Sequence, residues 1–200
     1  MVDKNRFITQ LHNNLIKNIL PYWTKNMVDP TGGFYGRRDG YDRLDKRACK
    51  GAILNARILW TFSAAYKYDK NPEYLKIATK AKNYITDSFF DKANGGIFWS
   101  LNPDNTPLDT RKQFYAMAFC IYGLSEYYSV TLNEDSLKSA LELFRLIELH
   151  SRDNKKGGYI EATTAEWQPI KDMRLSDKDL NVSKTMNTHL HILEGYTTLL

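Results

Sequence analysis

One string recurs along this chain at a fixed interval, and that period restricts the folds open to it more than any other feature. Asp29-Pro-Thr-Gly-Gly-Phe-Tyr, Asp91-Lys-Ala-Asn-Gly-Gly-Ile-Phe and Asp153-Asn-Lys-Lys-Gly-Gly-Tyr-Ile begin 62 residues apart. Such a period means like supersecondary units that bury their apolar faces against one another. Glycine supplies positive φ or close backbone approach, and Asp or Asn satisfies nearby amides. Each string therefore predicts a turn that enters a short strand hairpin.

A helix with one apolar stripe is expected before each turn: Ile8, Leu11, Leu15 and Ile19 in the first, Tyr74, Ala78, Ala81, Ile85 and Phe89 in the second, Leu137, Leu141, Phe144 and Ile147 in the third. Asn71-Pro-Glu and Asn133-Glu-Asp read as caps of the second and third. After each turn comes a different kind of helix, apolar nearly all round: Ala48 to Tyr66, Phe114 to Tyr128, and about Ser183 to Leu200. A helix without a solvated face must be buried on every side, so three inner helices covered by three outer ones are expected. This alternation predicts an all-α fold, an α/α toroid with short β-hairpins at the glycine turns. The common helical solenoids have shorter repeats.

Composition narrows the function classes. At 200 residues and 42% hydrophobic, the chain can bury a sizeable core, and no apolar run approaches the roughly 20 residues of a membrane helix. A soluble, cytoplasmic protein is expected. The net charge of +5 is spread among acids on outward helix faces, which argues against a nucleic-acid partner. Cys49 and Cys120 each stand alone in helical, apolar context, so neither a disulfide framework nor a zinc site is expected.

Polar residues interrupt the first turns of the inner helices, where they would converge on a pocket beside the glycine-turn rim. These are Arg57, Tyr115, Asn187 and His191, the last two sharing a helix face at a spacing of four. Placing Arg or His in an apolar layer costs several kcal/mol unless a partner or ligand compensates. Structural readings stand beside the functional ones. Arg57 can pair with a core carboxylate such as Asp179, and Tyr115 can be a core tyrosine with a satisfied hydroxyl. His189 and His191 cannot face the same way, so one is read as a structural histidine. His12 and His150 fall on surface helices and are read as inert, and Trp99, just past a glycine turn, as a candidate for stacking on a sugar.

At these residues the chain resembles the cellobiose 2-epimerases, within the N-acylglucosamine 2-epimerase superfamily of (α/α)6 barrels. The resemblance is carried by the strings at 32–37 (GGFYGR), 54–66 (LNARILWTFSAAY), 109–116 (DTRKQFYA), 172–181 (DMRLSDKDLN) and 186–194 (MNTHLHILE). It implies that residues 1–200 are the N-terminal half of a single (α/α)6-barrel domain, three of six repeats in about 370 residues. It also implies reversible epimerisation at C2 of the reducing-end glucose of cellobiose or a related β-1,4-disaccharide such as lactose or mannobiose, through a cis-enediolate and without a cofactor. Carried over by position, Arg57 is similar to an arginine that contacts the open-chain sugar oxygens. Tyr115, Asp179 and Asn187 resemble sugar-hydroxyl contacts, and His191 the first of three functional histidines, favoured over His189 because it shares the Asn187 face. The other two, the acid/base pair that the resemblance implies, belong to a C-terminal half absent from these residues. The 200-residue chain alone is therefore expected to be inactive and aggregation-prone, and the full-length protein a monomer.

Three other readings keep some of these features. N-acylglucosamine 2-epimerase or mannose isomerase activity retains the fold with another sugar. A noncatalytic helical-repeat binding module would bind partners without turnover. An α/α-barrel glycoside hydrolase or lyase needs a carboxylate pair, for which Asp177 and Asp179 are the only loose candidates.

Overall fold

The computed structural model describes residues 3–200. Helix α1 (Lys4–Asn14) passes through a π-helical turn (Leu15–Ile19) into α2 (Leu20–Asn26). Two helical hairpins follow, α3 (Ala52–Asp69) with α4 (Pro72–Tyr84) and α5 (Phe114–Thr131) with α6 (Glu134–His150), and the last helix is α7 (Met186–Leu199). Inner helix α5 packs between α3 and α7, while α4 covers α3 and α6 covers α5. This is the expected arc of alternating inner and outer helices, and the described residues form no closed barrel.

Short strands stitch neighbouring repeats together. Strands β1 (Arg37–Arg38) and β2 (Leu44–Asp45) make a hairpin of their own. Strand β3 (Lys50–Gly51) pairs antiparallel with β4 (Ser100–Leu101), which pairs in turn with β5 (Pro107–Asp109). Strand β6 (Lys112–Gln113) pairs with β7 (Ala162–Thr163) in the same manner. Thus the strand leading into one inner helix pairs with the strand that follows the next glycine turn.

The turns have the predicted chemistry. Asp29, Asp91 and Asp153 each accept hydrogen bonds from main-chain amides two or three residues on, and the bridges Val28–Phe34, Phe90–Ile97 and Arg152–Tyr159 close the loops. Gly33 has φ +60°, and a Cβ there would lie 2.2 Å from the Tyr84 ring. A side chain at that position is excluded twice over, by backbone conformation and by space.

Each of these aspartates also meets a lysine that lies two residues before an inner helix. Lys50 Nζ stands 2.7 Å from Asp29, Lys112 Nζ 2.6 Å from Asp91, and Lys184 Nζ 2.6 Å from Asp153. The ion pairs pin the inner-helix N-termini to the glycine turns. Burial works against the Asp91 carboxylate, but the Lys112 ammonium and the amides of Asn94 and Ala93 outweigh it and hold its pKa at about 2. Lys112 also sits over the Phe98 ring, 5.0 Å from its centroid. The placement of basic residues on outward faces therefore fails for Lys50 and Lys112, which lie in the interior.

The second outer stripe is buried as expected, and Asn71 and Asn133 cap α4 and α6. The other two stripes need correction. Ile8, Leu11 and Ile19 are exposed, because no element among the described residues covers that side of α1. On α6 the buried face is Ser136, Ala140, Leu143 and Ile147, turned from the expected one so that Leu137, Leu141 and Phe144 lie half-buried on its flank. Of the inner helices only α5, with a neighbour on each side, is buried nearly all round; α7 buries only Thr188, Ile192 and Gly195. Cys49 is exposed just before β3 rather than helical, whereas Cys120 is buried in α5, and both are free thiols. Close approach of the inner helices depends on glycine: a Cβ at Gly123 would stand 2.7 Å from the Ala56 carbonyl oxygen, and one at Gly195 2.7 Å from that of Ala118. No helix among the described residues is long and apolar enough to cross a membrane.

Candidate active site

The N-terminus of α7 is the best-anchored element of the site. The Thr185 side chain caps the helix by accepting from the Thr188 amide at 3.2 Å. Behind it lies the buried carboxylate of Glu161, which accepts from the Thr185 amide at 2.6 Å and the Thr188 hydroxyl at 2.5 Å. The Glu161 carbonyl also accepts from the Phe114 amide at 3.1 Å, so one residue ties together the starts of α5 and α7. Those two starts carry Tyr115 on one side and Asn187 and His191 on the other.

Three of the five predicted residues, Arg57, Tyr115 and His191, join one chain of contacts, and Asn187 stands near the Tyr115 hydroxyl. His191 meets the Tyr115 ring edge-on with centroids 4.8 Å apart and the Phe119 ring at 4.4 Å. The Arg57 guanidinium lies over the other end of this cluster, 4.6 Å from the Phe119 centroid. Burial raises the Tyr115 pKa, and the Glu194 charge adds to that, while the Arg57 charge and the Asn187 side chain beside the hydroxyl pull the other way. Tyr115 is thus a buried phenol whose hydroxyl faces polar groups, a proton donor rather than a phenolate.

The two neighbouring histidines differ sharply. His189 Nδ1 lies 2.6 Å from the Thr185 carbonyl and its Nε2 accepts from the Tyr159 amide at 2.9 Å. Both ring nitrogens are bonded to backbone, which makes His189 the structural histidine that the spacing argument anticipated. His191 Nδ1 instead lies 2.8 Å from the Glu194 carboxylate.

Asp179 is the residue the structure does not bring into contact with the others. It sits on the exposed loop before α7 and accepts from the Ser176 amide and hydroxyl at 2.8 and 2.9 Å. The alternative pairing of Arg57 with Asp179 is not made, because the loop holds its own carboxylate and Arg57 lies on the open face of α3 against Phe119. Asp179 does share a cavity of about 500 Å³ with Asn187, Glu161 and Arg174, whereas Arg57 lines a separate groove of about 300 Å³ with Trp23 and Leu54. The loop is latched to the start of α5, since the Gln113 side chain donates to the Met173 and Arg174 carbonyls at 3.3 and 3.1 Å. Asp177 is fully exposed and lies 3.8 Å from Arg174.

Trp99 is half-buried against the core and lines neither cavity. Trp167 stacks on His150 with centroids 4.1 Å apart and donates to the Asn94 carbonyl at 2.8 Å, so both of those side chains are packing elements. Sequence reasoning missed Phe119, Glu161 and Glu194. The first and last had a readable signal, since Phe119 is one helical turn from Tyr115 and Glu194 is three residues from His191; Glu161 had none. Among the described residues no group of three or more His, Cys, Asp or Glu side chains converges as a metal site requires. Neither hollow is lined by Arg57 and Asn187 together, so these two do not form the one shared pocket expected from the sequence; what the cluster offers chemically is a guanidinium, an amide and a phenol near an imidazole.

Comparison with known proteins shows the family. A sequence model of the N-acylglucosamine 2-epimerase (GlcNAc 2-epimerase) family matches residues 33–191. A cellobiose 2-epimerase of Bacteroides fragilis is 56% identical over 191 residues, which are 95% of this chain and 49% of that protein. The solved cellobiose 2-epimerase of Bacillus thermoamylovorans superposes with a TM-score of 0.92 at 39% identity, over 98% of this chain and 50% of that one. A D-mannose isomerase of Marinomonas mediterranea is 23% identical over 86% of this chain and 43% of that protein. The chain spans about half the length of the curated relatives it matches.

Proposed function

Because the chain belongs to the N-acylglucosamine 2-epimerase family, we propose that it forms the N-terminal half of one (α/α)6-barrel domain, in a protein that reversibly epimerises C2 of the reducing-end glucose of cellobiose or a related β-1,4-disaccharide to mannose. The observation that carries this reading is the contact chain Arg57, Phe119, His191, Tyr115, with Asn187 beside it. The sugar ring opens to the aldehyde, and a base removes the proton on C2. The C–H electron pair becomes the C1–C2 double bond, and the carbonyl oxygen takes up the negative charge of a cis-enediolate. Returning a proton to the other face of C2 gives the epimer.

A C–H next to a carbonyl is only weakly acidic, so the enediolate must be stabilised where its charge develops. The Arg57 guanidinium, on the open face of α3 over the Phe119 ring, suits that task, and one well-placed donor of this kind is worth roughly 100- to 1,000-fold in rate. Tyr115, Asn187 and, from the loop, Asp179 orient sugar hydroxyls, while His191 is the first of three functional histidines, beside the reacting end of the sugar. Inversion needs a proton-transferring group on each face of C2, a role worth roughly 100- to 10,000-fold. The reading assigns the acid/base pair to two histidines in the remaining length that the relatives possess, and for that reason the 200 residues alone are expected not to turn over.

The test is to assay the full gene product with cellobiose, N-acetylmannosamine and mannose, with His191→Ala and Arg57→Met variants alongside. Conversion of cellobiose to its mannose epimer, lost in both variants, supports the reading. Conversion of mannose to fructose alone, or of N-acetylmannosamine alone, would replace the substrate. Binding of cellobiose without turnover would leave a sugar-binding module.

A further inference from the structure

We propose that Gln113 is a positioning residue that carries the Asp179 loop to the sugar site, by holding the main chain of Met173 and Arg174 against the start of α5. The inference rests on the epimerase reading above, in which Asp179 orients a sugar hydroxyl, and deepens it. Gln113 ends β6, pairs with Ala162 of β7 and stands at the N-cap of α5, two residues before Tyr115. The residue is only 1% exposed. Its Nε2 donates to the Met173 carbonyl at 3.3 Å and to the Arg174 carbonyl at 3.1 Å. Carbonyl oxygens can only accept, which fixes the amide with its nitrogen toward the loop. Its Oε1 is left buried with no hydrogen-bond partner among the described residues. An unpaired buried acceptor is destabilising, so the interior gains little from an amide here; what the amide adds is its pair of donors to the loop.

The loop has little else to hold it in place. Residues 170–182 contain no helix or strand, and most of their polar bonds are internal. The Asn181 side chain accepts from the Met173 amide at 3.0 Å and donates to the Lys171 carbonyl at 2.9 Å, which closes the neck of the loop. At the tip, Asp179 accepts from the Ser176 amide and hydroxyl, and its own amide donates to the Ser176 carbonyl at 3.1 Å. A loop bonded in this way moves as a unit. Among the described residues its hydrogen bonds to the start of α5 come from Gln113 and, at 3.4 Å, from Arg111 Nη1 to the Arg174 carbonyl, with Leu175 packing against the core. Asp179 and Asn187 line one cavity, and Arg174, whose carbonyl Gln113 holds, lines it too. Without the amide donors the loop keeps its internal bonds and loses its register on α5, and Asp179 moves with it.

The experiment has two arms, both on the full gene product with Gln113→Met and Gln113→Leu. Each variant removes the two donors together with the orphaned acceptor and keeps an apolar side chain of similar size. Trypsin cleavage after Lys171, Arg174 and Lys178, followed by mass spectrometry under native conditions, should run about 10-fold faster in both variants. Cleavage after Lys46 and Arg47, exposed beyond β2, should not change. Cellobiose kinetics should show KM raised about 10-fold, as for one lost hydrogen bond to the sugar, with kcat within about threefold of wild type. Asp179→Ala should give the same rise in KM, and adding Gln113→Met to it should raise KM by less than about twofold more, because both act through one contact. The proposal is overturned if loop cleavage is unchanged in both variants, if KM is unchanged in an active enzyme, or if the effects of the two substitutions multiply in full. Should the wild type convert no sugar, the epimerase reading fails, and the cleavage rates alone still decide whether Gln113 holds the loop.

Discussion

Replacing Lys112 by Met keeps the aliphatic stem and deletes the ammonium from a pair in which the two side chains are 0% and 4% exposed. The Asp91 charge then remains buried, although the Asn94 side chain and the Ala93 and Asn94 amides still bond it. Breaking a buried pair costs about 3–5 kcal/mol, and those remaining donors place this variant near 3. Lys50→Met should cost more, near 5 kcal/mol, because Lys50 also donates to the Gly32 carbonyl at 2.9 Å and the Asn105 side chain at 2.8 Å, which lose that donor together with Asp29. Lys184→Met, in a pair whose side chains are 26% and 23% exposed, should cost least of the three, since water can replace the lost partner. At roughly 2–4 °C per kcal/mol for a chain of this size, thermal unfolding followed by circular dichroism should show Tm lower by about 6–12 °C for Lys112→Met and about 10–20 °C for Lys50→Met. Adding Asp91→Asn to Lys112→Met should recover much of the loss, because no charge is then left buried. Equal losses for all three lysines, or a change under about 1 kcal/mol for Lys112→Met, would refute the view that these pairs hold the turns to the inner helices.

The same pair makes an acid limb. The folded pKa of Asp91, about 2, lies below the unfolded carboxylate value of about 3.9. Its stabilisation is therefore complete above about pH 4 and lost as pH falls toward 2, so Asp91→Asn should flatten the decline of Tm in that window. Gly195→Ala should lower Tm despite the better helix propensity of alanine, since the added Cβ would stand 2.7 Å from the Ala118 carbonyl, whereas Gly51→Ala, with nothing within 4 Å, should stay within about 0.5 kcal/mol of wild type. His189→Ala should destabilise by about 1–3 kcal/mol, because it leaves the Tyr159 amide unpaired. His191→Ala should leave Tm nearly unchanged and remove turnover; the reverse pattern would exchange the roles of the two histidines.

The architecture was legible because its signals are local and repeated. The glycine turns, the Asn caps and the apolar α5 each answer to a rule that needs only a few neighbouring residues. Burial is not legible where a neighbour distant in sequence decides it. Ile8, Leu11 and Ile19 form an apolar stripe in sequence, yet what covers a stripe is a matter of tertiary contact. Hydrophobicity alone picks the wrong α6 stripe, because the small residues Ser136 and Ala140 occupy the buried face, where they let α6 approach α5. The burial of Lys50 and Lys112 is not legible locally, because lysines are usually solvated and the compensating aspartate lies 21 residues away in sequence at each of these pairs. Arg57, Tyr115, Asn187 and His191 stand out in sequence because polar residues interrupt apolar helices, whereas Glu194, an acid on a helix near its partially open face, looks ordinary.

Deuterium uptake at C2 tests the central claim most directly. With the full gene product and cellobiose in D2O, NMR should show loss of the C2 proton signal of the reducing-end residue at the rate at which the mannose epimer appears, and neither change with His191→Ala. Appearance of the epimer with the original hydrogen retained at C2 in every turnover, or full activity in the His191 variant, would contradict an enediolate formed beside this imidazole.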